Sequence, residues 1–291
     1  MCPDFLKERF FIMKHTIRIA AVVLAALIIF AVVDRLPSAV SELSDIAVLN
    51  KVTADGKHAG QLVVVNGKHR YRNTGGELVS LYENKTDSFY VSTTEIELQP
   101  VAVKPLCDML DAFRNETGLK KINVISGYRS IETQQEIYKQ KAKLYGRLYA
   151  KSHVQSPGFS EHHTGLCVDV SIFNAEDGSS EDFDGKGEYK WFSKNSWKYG
   201  FVLRYPEEKE KITDIAHEPW HFRFVGVPHA YYMTQNNLCL EEYAELLQNK
   251  TKDNPLKFRC ENKTYKVWHS EKKPKAAAFS GDNYNGYIIW K

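Results

Sequence analysis

His162 and Asp169 lie seven positions apart in the tract Ser160-Glu161-His162-His163-Thr164-Gly165-Leu166-Cys167-Val168-Asp169, and Glu218 and His221 lie three apart in Glu218-Pro219-Trp220-His221. Two imidazoles and a carboxylate are N and O donors that suit zinc while leaving a fourth position for water, and a further carboxylate beside them can take that water's proton. The four residues therefore supply a ligand set, His162, Asp169 and His221, and a base, Glu218. On an extended strand residues 163, 165, 167 and 169 point one way. His162 can then meet Asp169 only from a preceding turn, which Gly165 permits. On these grounds alone the adjacent His163 remains a rival ligand.

His217-Glu218-Pro219-Trp220-His221 also satisfies the His-Glu-x-x-His pattern of helical zinc proteases. That pattern works by placing both histidines on one helix face, and Pro219 between them would remove a helix hydrogen bond and clash, at a cost of about 3 kcal/mol. The run His221-Phe222-Arg223-Phe224-Val225 is aromatic and β-branched, as a strand is. His217 is accordingly expected outside the ligand set.

The elements that must position these groups follow from pattern. Gln61 to Val65 reads as a short strand, with turns at Asn66-Gly67 and Thr74-Gly75-Gly76. Pro105 opens a predicted helix with Leu106, Met109, Leu110 and Phe113 on one face and Gly118 as its C-cap. Ile122 to Ile125 reads as a buried strand. Ser130 caps a second helix in which Ile137, Tyr138, Lys141 and Tyr145 share a face before Gly146. Gly165 to Phe173, Tyr199 to Arg204 and Trp220 to Val225 are strand-like, and Leu240 to Leu247 is helical. Residues 174 to 188 form a polar loop whose Asp182-Phe183-Asp184-Gly185 lacks the full ligand spacing of a calcium loop. Leu256 to Trp268 and Tyr284 to Trp290 read as strands of a small β appendage around a Lys-rich loop.

Composition narrows the partners. With 39 Lys+Arg against 36 Asp+Glu the net charge is only +3, and no basic run interleaved with aromatics suggests a nucleic-acid groove. At the N-terminus Lys7, Arg9, Lys14 and Arg18 precede an unbroken apolar run, residues 19–33, followed by Asp34 and Arg35. Helical, that run is roughly 22 Å long against a hydrocarbon core of roughly 30 Å. Residues 1–40 are thus read as a signal peptide or a membrane anchor, placing the rest outside the cytoplasm. The five cysteines include no Cys-x-x-Cys pair; a Cys239 to Cys260 disulfide and free buried thiols are equally compatible with the sequence.

Four separated tracts occur in an order that resembles one family. Ser126-Gly127-Tyr128-Arg129-Ser130 with Gln134, then Pro157-Gly158-Phe159-Ser160-Glu161-His162 through Asp169, then Tyr199-Gly200-Phe201 with Arg204-Tyr205-Pro206, and finally Glu218-Pro219-Trp220-His221 are similar to the D-alanyl-D-alanine carboxypeptidases related to VanY. The likeness runs from roughly Gln61 to Leu247. It implies an α+β fold, a small antiparallel sheet flanked by helices around a zinc cleft, and hydrolysis of peptidoglycan stem peptides at their C-terminal D-Ala, at a D,D- or L,D-bond. It selects His162 over His163, keeps Asp169, His221 and Glu218, and places Arg129, Gln134 and Ser160 around the substrate's terminal residue. Arg129 would grip the free carboxylate or stabilise an oxyanion; by residue type alone it reads as a structural ion pair. Cys167 departs from the family's more usual Ala. The organisation expected is residues 41–100 as lead-in strands, 101–248 as the zinc carboxypeptidase core and 249–291 as a β appendage outside the resemblance. Two other readings share these residues, a zinc endopeptidase cutting within peptidoglycan peptides and a non-catalytic wall-binding module. The intact Glu218 speaks against the second.

Overall fold

The computed structural model describes residues 56–72, 76–275 and 277–291. The export segment and Cys2 lie outside the described residues, as do Thr74 and Gly75 of one expected turn. Among the described residues no helix is long and apolar enough to cross a membrane.

The strands in chain order are β1 (Val79–Ser80), β2 (Tyr90–Val91), β3 (Glu97–Leu98), β4 (Ile122–Ser126), β5 (Cys167–Phe173), β6 (Ser180–Asp182), β7 (Phe201–Tyr205), β8 (Glu218–Phe224), β9 (Leu256–Cys260), β10 (Lys263–Ser270), β11 (Ala278–Gly281) and β12 (Tyr287–Trp290). β1 and β3 form a two-stranded ribbon. The main sheet runs β2-β4-β5-β8-β7, with β6 also paired to β5. It is antiparallel except between β2 and β4. The last four strands make a separate antiparallel sheet in the order β11-β12-β10-β9. The α+β class and the largely antiparallel central sheet are those that the family resemblance implies.

The first long helix, α1 (Pro100–Thr117), starts five residues before the expected Pro105. Pro100 takes the first helical position, where a missing N–H costs nothing because that group has no intrahelical acceptor. Pro105 is carried inside the helix, and Gly118 closes it in the left-handed conformation. The stripe Ala102, Val103, Leu106, Met109, Leu110 and Phe113 buries itself against Val124, Val168, Val170 and Phe222 of the main sheet, with Phe183 and Phe192 completing this core. Phe183 is thus a core residue within the polar loop. Helix α2 (Ile131–Tyr145) is capped by the Ser130 side chain as expected, yet only Gln134 is buried in it. The Ile137 and Tyr145 face therefore meets no core: Tyr145 is 58% exposed, and the helix instead packs on α3 (Arg147–His153) at the rim of the site.

A second core lies against Val202 and Val225. It joins Leu62 and Val64 to Ala230 and Met233 of helix α4 (Val227–Gln235), Tyr243 and Leu247 of α5 (Leu240–Gln248), and Val267, Ile288 and Trp290 of the last sheet. Helix α4 has no counterpart in the sequence reading. Residues 61–65 are buried but form no strand. Their backbone groups are met instead by side chains and loops: Arg223 donates to the carbonyls of Gln61 and Val63, Ser280 Oγ accepts from Leu62 N, and Asn283 donates to Val64 O. Buried main-chain groups need such partners wherever ladder pairing is absent. The described cysteines, 107, 167, 239 and 260, are free and buried, so Cys239 and Cys260 are not joined.

Because the C-terminal sheet shares its core with α4 and α5, we predict that Ile288→Ala destabilises the whole body by about 2–5 kcal/mol in one cooperative calorimetric transition. Two separated transitions would show instead that residues 249–291 unfold alone.

Candidate metal and substrate site

Three strands bring the predicted groups into line. The β4/β5 ladder sets Ser126 opposite Asp169, and the β5/β8 ladder sets Asp169 opposite His221. Such directly paired side chains stand within about 5.5 Å at their Cβ atoms. His162 arrives from a single 3-10 turn, Glu161–Thr164, that precedes β5. Gly165 ends that turn at φ 65°, and a Cβ there would meet Leu78 Cδ2 at 2.8 Å. Gln99, next to α1, holds the turn from outside by donating its N–H to Gly165 O and its side-chain amide to Thr164 O.

His162 Nε2 stands 3.1 Å from Asp169 Oδ2, and His221 Nδ1 stands 2.9 Å from Asp169 Oδ1. The two imidazoles meet edge to face, with centroids 5.0 Å apart. The far nitrogens of the two rings are placed differently. His162 Nδ1 lies 2.6 Å from the Gly127 carbonyl, which fixes that nitrogen as the N–H donor. His221 Nε2 lies 3.6 Å from Glu161 Oε2, and neither atom has another partner among the described residues. Nε2 of His162 and Nδ1 of His221 face the carboxylate, and for His162 the bond to Gly127 supplies the tautomer control that a metal-binding histidine needs. This donor set fits a zinc ion.

The rival histidines are engaged elsewhere. His163 Nδ1 donates to Arg129 O at 2.7 Å while Nε2 accepts from Gly158 N at 3.0 Å, so both nitrogens are used. His217 Nδ1 bonds Tyr205 O at 2.9 Å. Cys167, by contrast, is drawn in: its thiol, His162 and His221 offer donor atoms within 4.8 Å of one another. The signal for Cys167 in the sequence is its place two residues before Asp169, on the same strand face.

Glu218 opens β8, with Oε2 3.7 Å from His221 Nδ1. Burial, together with the Asp169 charge, pushes its carboxyl up to about 7, although His221 opposes this. Burial works against charging Asp169 too, but His162 and His221 outweigh it and hold that carboxyl well below the usual range. His162 is pushed up to about 9: burial and Arg129 oppose protonation, and Asp169 overcomes both.

Arg129 donates through Nη2 to Asp169 Oδ2 at 2.8 Å and to Ser126 Oγ at 2.9 Å, and through Nη1 to Gln134 Oε1 at 3.2 Å. Gln134 in turn donates to Gln155 O. Arg129 is therefore both an ion-pair partner of Asp169 and a wall of the cavity, about 270 Å³ in volume, that Gln134, Ser160, His162, Asp169, Glu218 and His221 also line. All seven predicted site residues meet in it. Tyr205, Trp220 and Lys141, which the sequence reading did not place there, complete its rim.

Beneath the site lies a charged cluster that spacing did not reveal. Glu161, with 0% side-chain exposure, accepts from Arg204 Nε at 2.7 Å, and Arg223 Nη1 stands 2.8 Å from the same oxygen. Burial would push Glu161 towards the neutral acid, yet the two guanidiniums keep it charged, well below the usual range. Arg204 continues to Glu241, which accepts from Asn66.

Residues 95–227 match the family model described as VanY: D-alanyl-D-alanine carboxypeptidase. A D-alanyl-D-alanine carboxypeptidase of Enterococcus faecium is 30% identical over 204 residues, 68% of this chain and 62% of that protein, so the chain spans somewhat under two thirds of that relative. Among solved structures, the vancomycin-resistance D,D-dipeptidase VanXYg in complex with a D-Ala-D-Ala phosphinate analogue aligns with a TM-score of 0.71 at 28% identity, covering 82% of this chain and 96% of that one. A mutant of the vancomycin-resistance D,D-pentapeptidase VanY from a VanB-type cassette, in complex with Zn(II), aligns with a TM-score of 0.53 at 32% identity, covering 63% and 98%. A likeness that spans nearly the whole of such a relative, together with the matched tracts around the site, makes this chain a member of the VanY D-alanyl-D-alanine carboxypeptidase family.

Proposed function

We propose that this chain is a zinc-dependent carboxypeptidase that removes the C-terminal D-Ala from peptidoglycan stem peptides outside the cytoplasm. His162, Asp169 and His221 are the ligands, Glu218 is the base, and Arg129, Gln134 and Ser160 receive the substrate's terminal residue. The observation that carries this reading is the convergence of His162 Nε2, His221 Nδ1 and the Asp169 carboxylate beside Glu218 in one cavity walled by Arg129. Zinc bound there supplies Lewis-acid polarisation of a carbonyl and a water whose pKa is near 7. Glu218, raised to about 7, is suited to take a proton and return it to the departing amine. Arg129 presents guanidinium N–H groups to a carboxylate end, with Gln134 bracing them. The D-alanyl-D-alanine carboxypeptidase relative, the D,D-dipeptidase bound to a D-Ala-D-Ala phosphinate analogue and the D,D-pentapeptidase bound to Zn(II) support the substrate class and the metal. The basic flank and apolar run of residues 19–33 support export, by cleavage or as an anchor.

Base and ligand roles separate on substitution. In Glu218→Gln the zinc content should survive while turnover of a stem pentapeptide falls about 10²-fold or more. Near-normal turnover would remove Glu218 from the chemistry.

Protons and zinc should compete for the histidines. The folded His162 value of about 9 exceeds its ordinary 6.5, so the stabilisation from its protonated form is present below pH 6.5 and is lost as pH rises through about 9. The metal-free protein should therefore lose thermal stability across that window, whereas zinc loading at pH 7 should release protons from the histidines. Calorimetric zinc titration in two buffers of different ionisation enthalpy measures the release, and a buffer-independent heat would contradict it.

The deciding experiment is mass spectrometry of stem pentapeptides ending in a free D-Ala or in its amide. One charge-assisted contact is worth about 1.5–3 kcal/mol, so the acid should lose a single D-Ala with kcat/KM roughly 10- to 150-fold above the amide. Arg129→Ala should erase most of that difference. An internal first product, or equal rates for acid and amide, would replace this reading with an endopeptidase.

A further inference from the structure

A second cavity, about 530 Å³, opens in the C-terminal sheet, and none of its lining residues lines the catalytic cavity. The exposed Lys252, Lys272, Lys273, Lys275 and Lys291 line it, with Lys273 Nζ also 5.7 Å from the Phe279 ring, and Trp268 and its cross-strand partner Ile289 complete the lining. No carboxylate side chain lines it. Among the described residues none of the five lysines is in an ion pair, whereas Lys104 pairs with Asp108 and Lys209 with Glu242. The loop that carries three of them is pinned at its start, where Ser270 Oγ both accepts from Lys272 N and donates to Lys272 O. Pro274 restricts it further by fixing its own φ.

Five like charges lining one cavity with no side-chain carboxylate among them repel one another, and an anionic ligand relieves that repulsion. The side chains decide its class. All five are ammonium point charges and none is a guanidinium fork, a set that suits phosphate oxygens approached from several directions rather than one bidentate carboxylate. At about 530 Å³ the cavity exceeds what one phosphate fills. Trp268 is only 8% exposed, so no open ring offers a stacking platform for bases. We propose that this cavity binds a flexible polymer of spaced phosphate groups without bases, holding the protein on an anionic matrix while the catalytic cavity remains free.

The test uses the full chain and fluorescently labelled linear polyphosphate, followed by anisotropy between 50 and 200 mM salt. Five phosphate contacts give a slope of log K against log salt of about −3.5, and the triple variant Lys272→Gln, Lys273→Gln, Lys275→Gln should reduce it to about −1.4 and weaken binding roughly 100-fold at 0.1 M salt. Lys139→Gln, Lys194→Gln, Lys211→Gln removes the same charge from exposed positions elsewhere and should change neither. Absence of binding by the wild-type chain, or an equal loss in both triple variants, overturns the proposal. So does a single-stranded DNA of equal charge that binds as tightly as polyphosphate. Cleavage of a small stem peptide should be unchanged in the first triple variant, so failure here and failure of the carboxypeptidase reading are distinguishable.

Discussion

A carboxylate with no exposed surface, Glu161, held between the guanidiniums of Arg204 and Arg223, is the interaction on which the rest of the site rests. Taking these charges out of water costs several kcal/mol per ion, and removing one member of such a group leaves another uncompensated at a cost of about 3–5 kcal/mol. The cluster therefore tolerates few arrangements. Glu161 begins the turn that presents His162, Arg204 belongs to β7, and Arg223 belongs to β8 two residues after His221. One ionic contact thus ties the metal-facing turn to two strands of the sheet.

Its reach goes further in both directions. Arg204 passes the constraint to Glu241 at the start of α5, and Arg223 passes it to the carbonyls of residues 61 and 63, a segment that has no ladder of its own. Towards the site, Glu161 Oε2 lies 3.6 Å from His221 Nε2, while His221 Nδ1 faces Asp169 at 2.9 Å. A buried ion cluster is weak evidence for stability as such. Here it has a definite structural consequence, which is the joining of the His162 turn to the two strands that carry Arg204 and Arg223.

The sheet supplies the remaining precision. A one-residue slip of β5 against β8 would send Asp169 to the opposite face from His221, because side chains alternate along a strand. Burial on both sides of β5 forbids that slip: Cys167, Val168 and Val170 are all buried. The helical rim of the site is built differently. Helix α2 contributes little core, and exposed Leu144, Tyr145 and Leu148 mark its end and the start of α3, so Gln134 is the residue through which it grips Arg129 and the Gln155 carbonyl.

Much of this was legible from residue order alone. Pro219 excluded the helical His-Glu-x-x-His reading, the strand-like tract of residues 165–173 and the aromatic and β-branched content of residues 220–225 marked the two central strands, and Ser130 and Gly118 marked helix ends, because these signals are local and depend on backbone sterics. Helix α1 was placed five residues late for a related reason: two prolines lie in the same stretch, and only packing shows that the apolar stripe already begins at Ala102. Which of two adjacent histidines turns towards Asp169 could not be read from spacing. That choice depends on the Arg129 carbonyl and the Gly158 N–H taking both nitrogens of His163, groups supplied by distant segments. Likewise Glu161 is one acidic residue among many in the sequence, and only the tertiary structure, by placing two arginines from different strands around it, makes it a buried charge beneath the site.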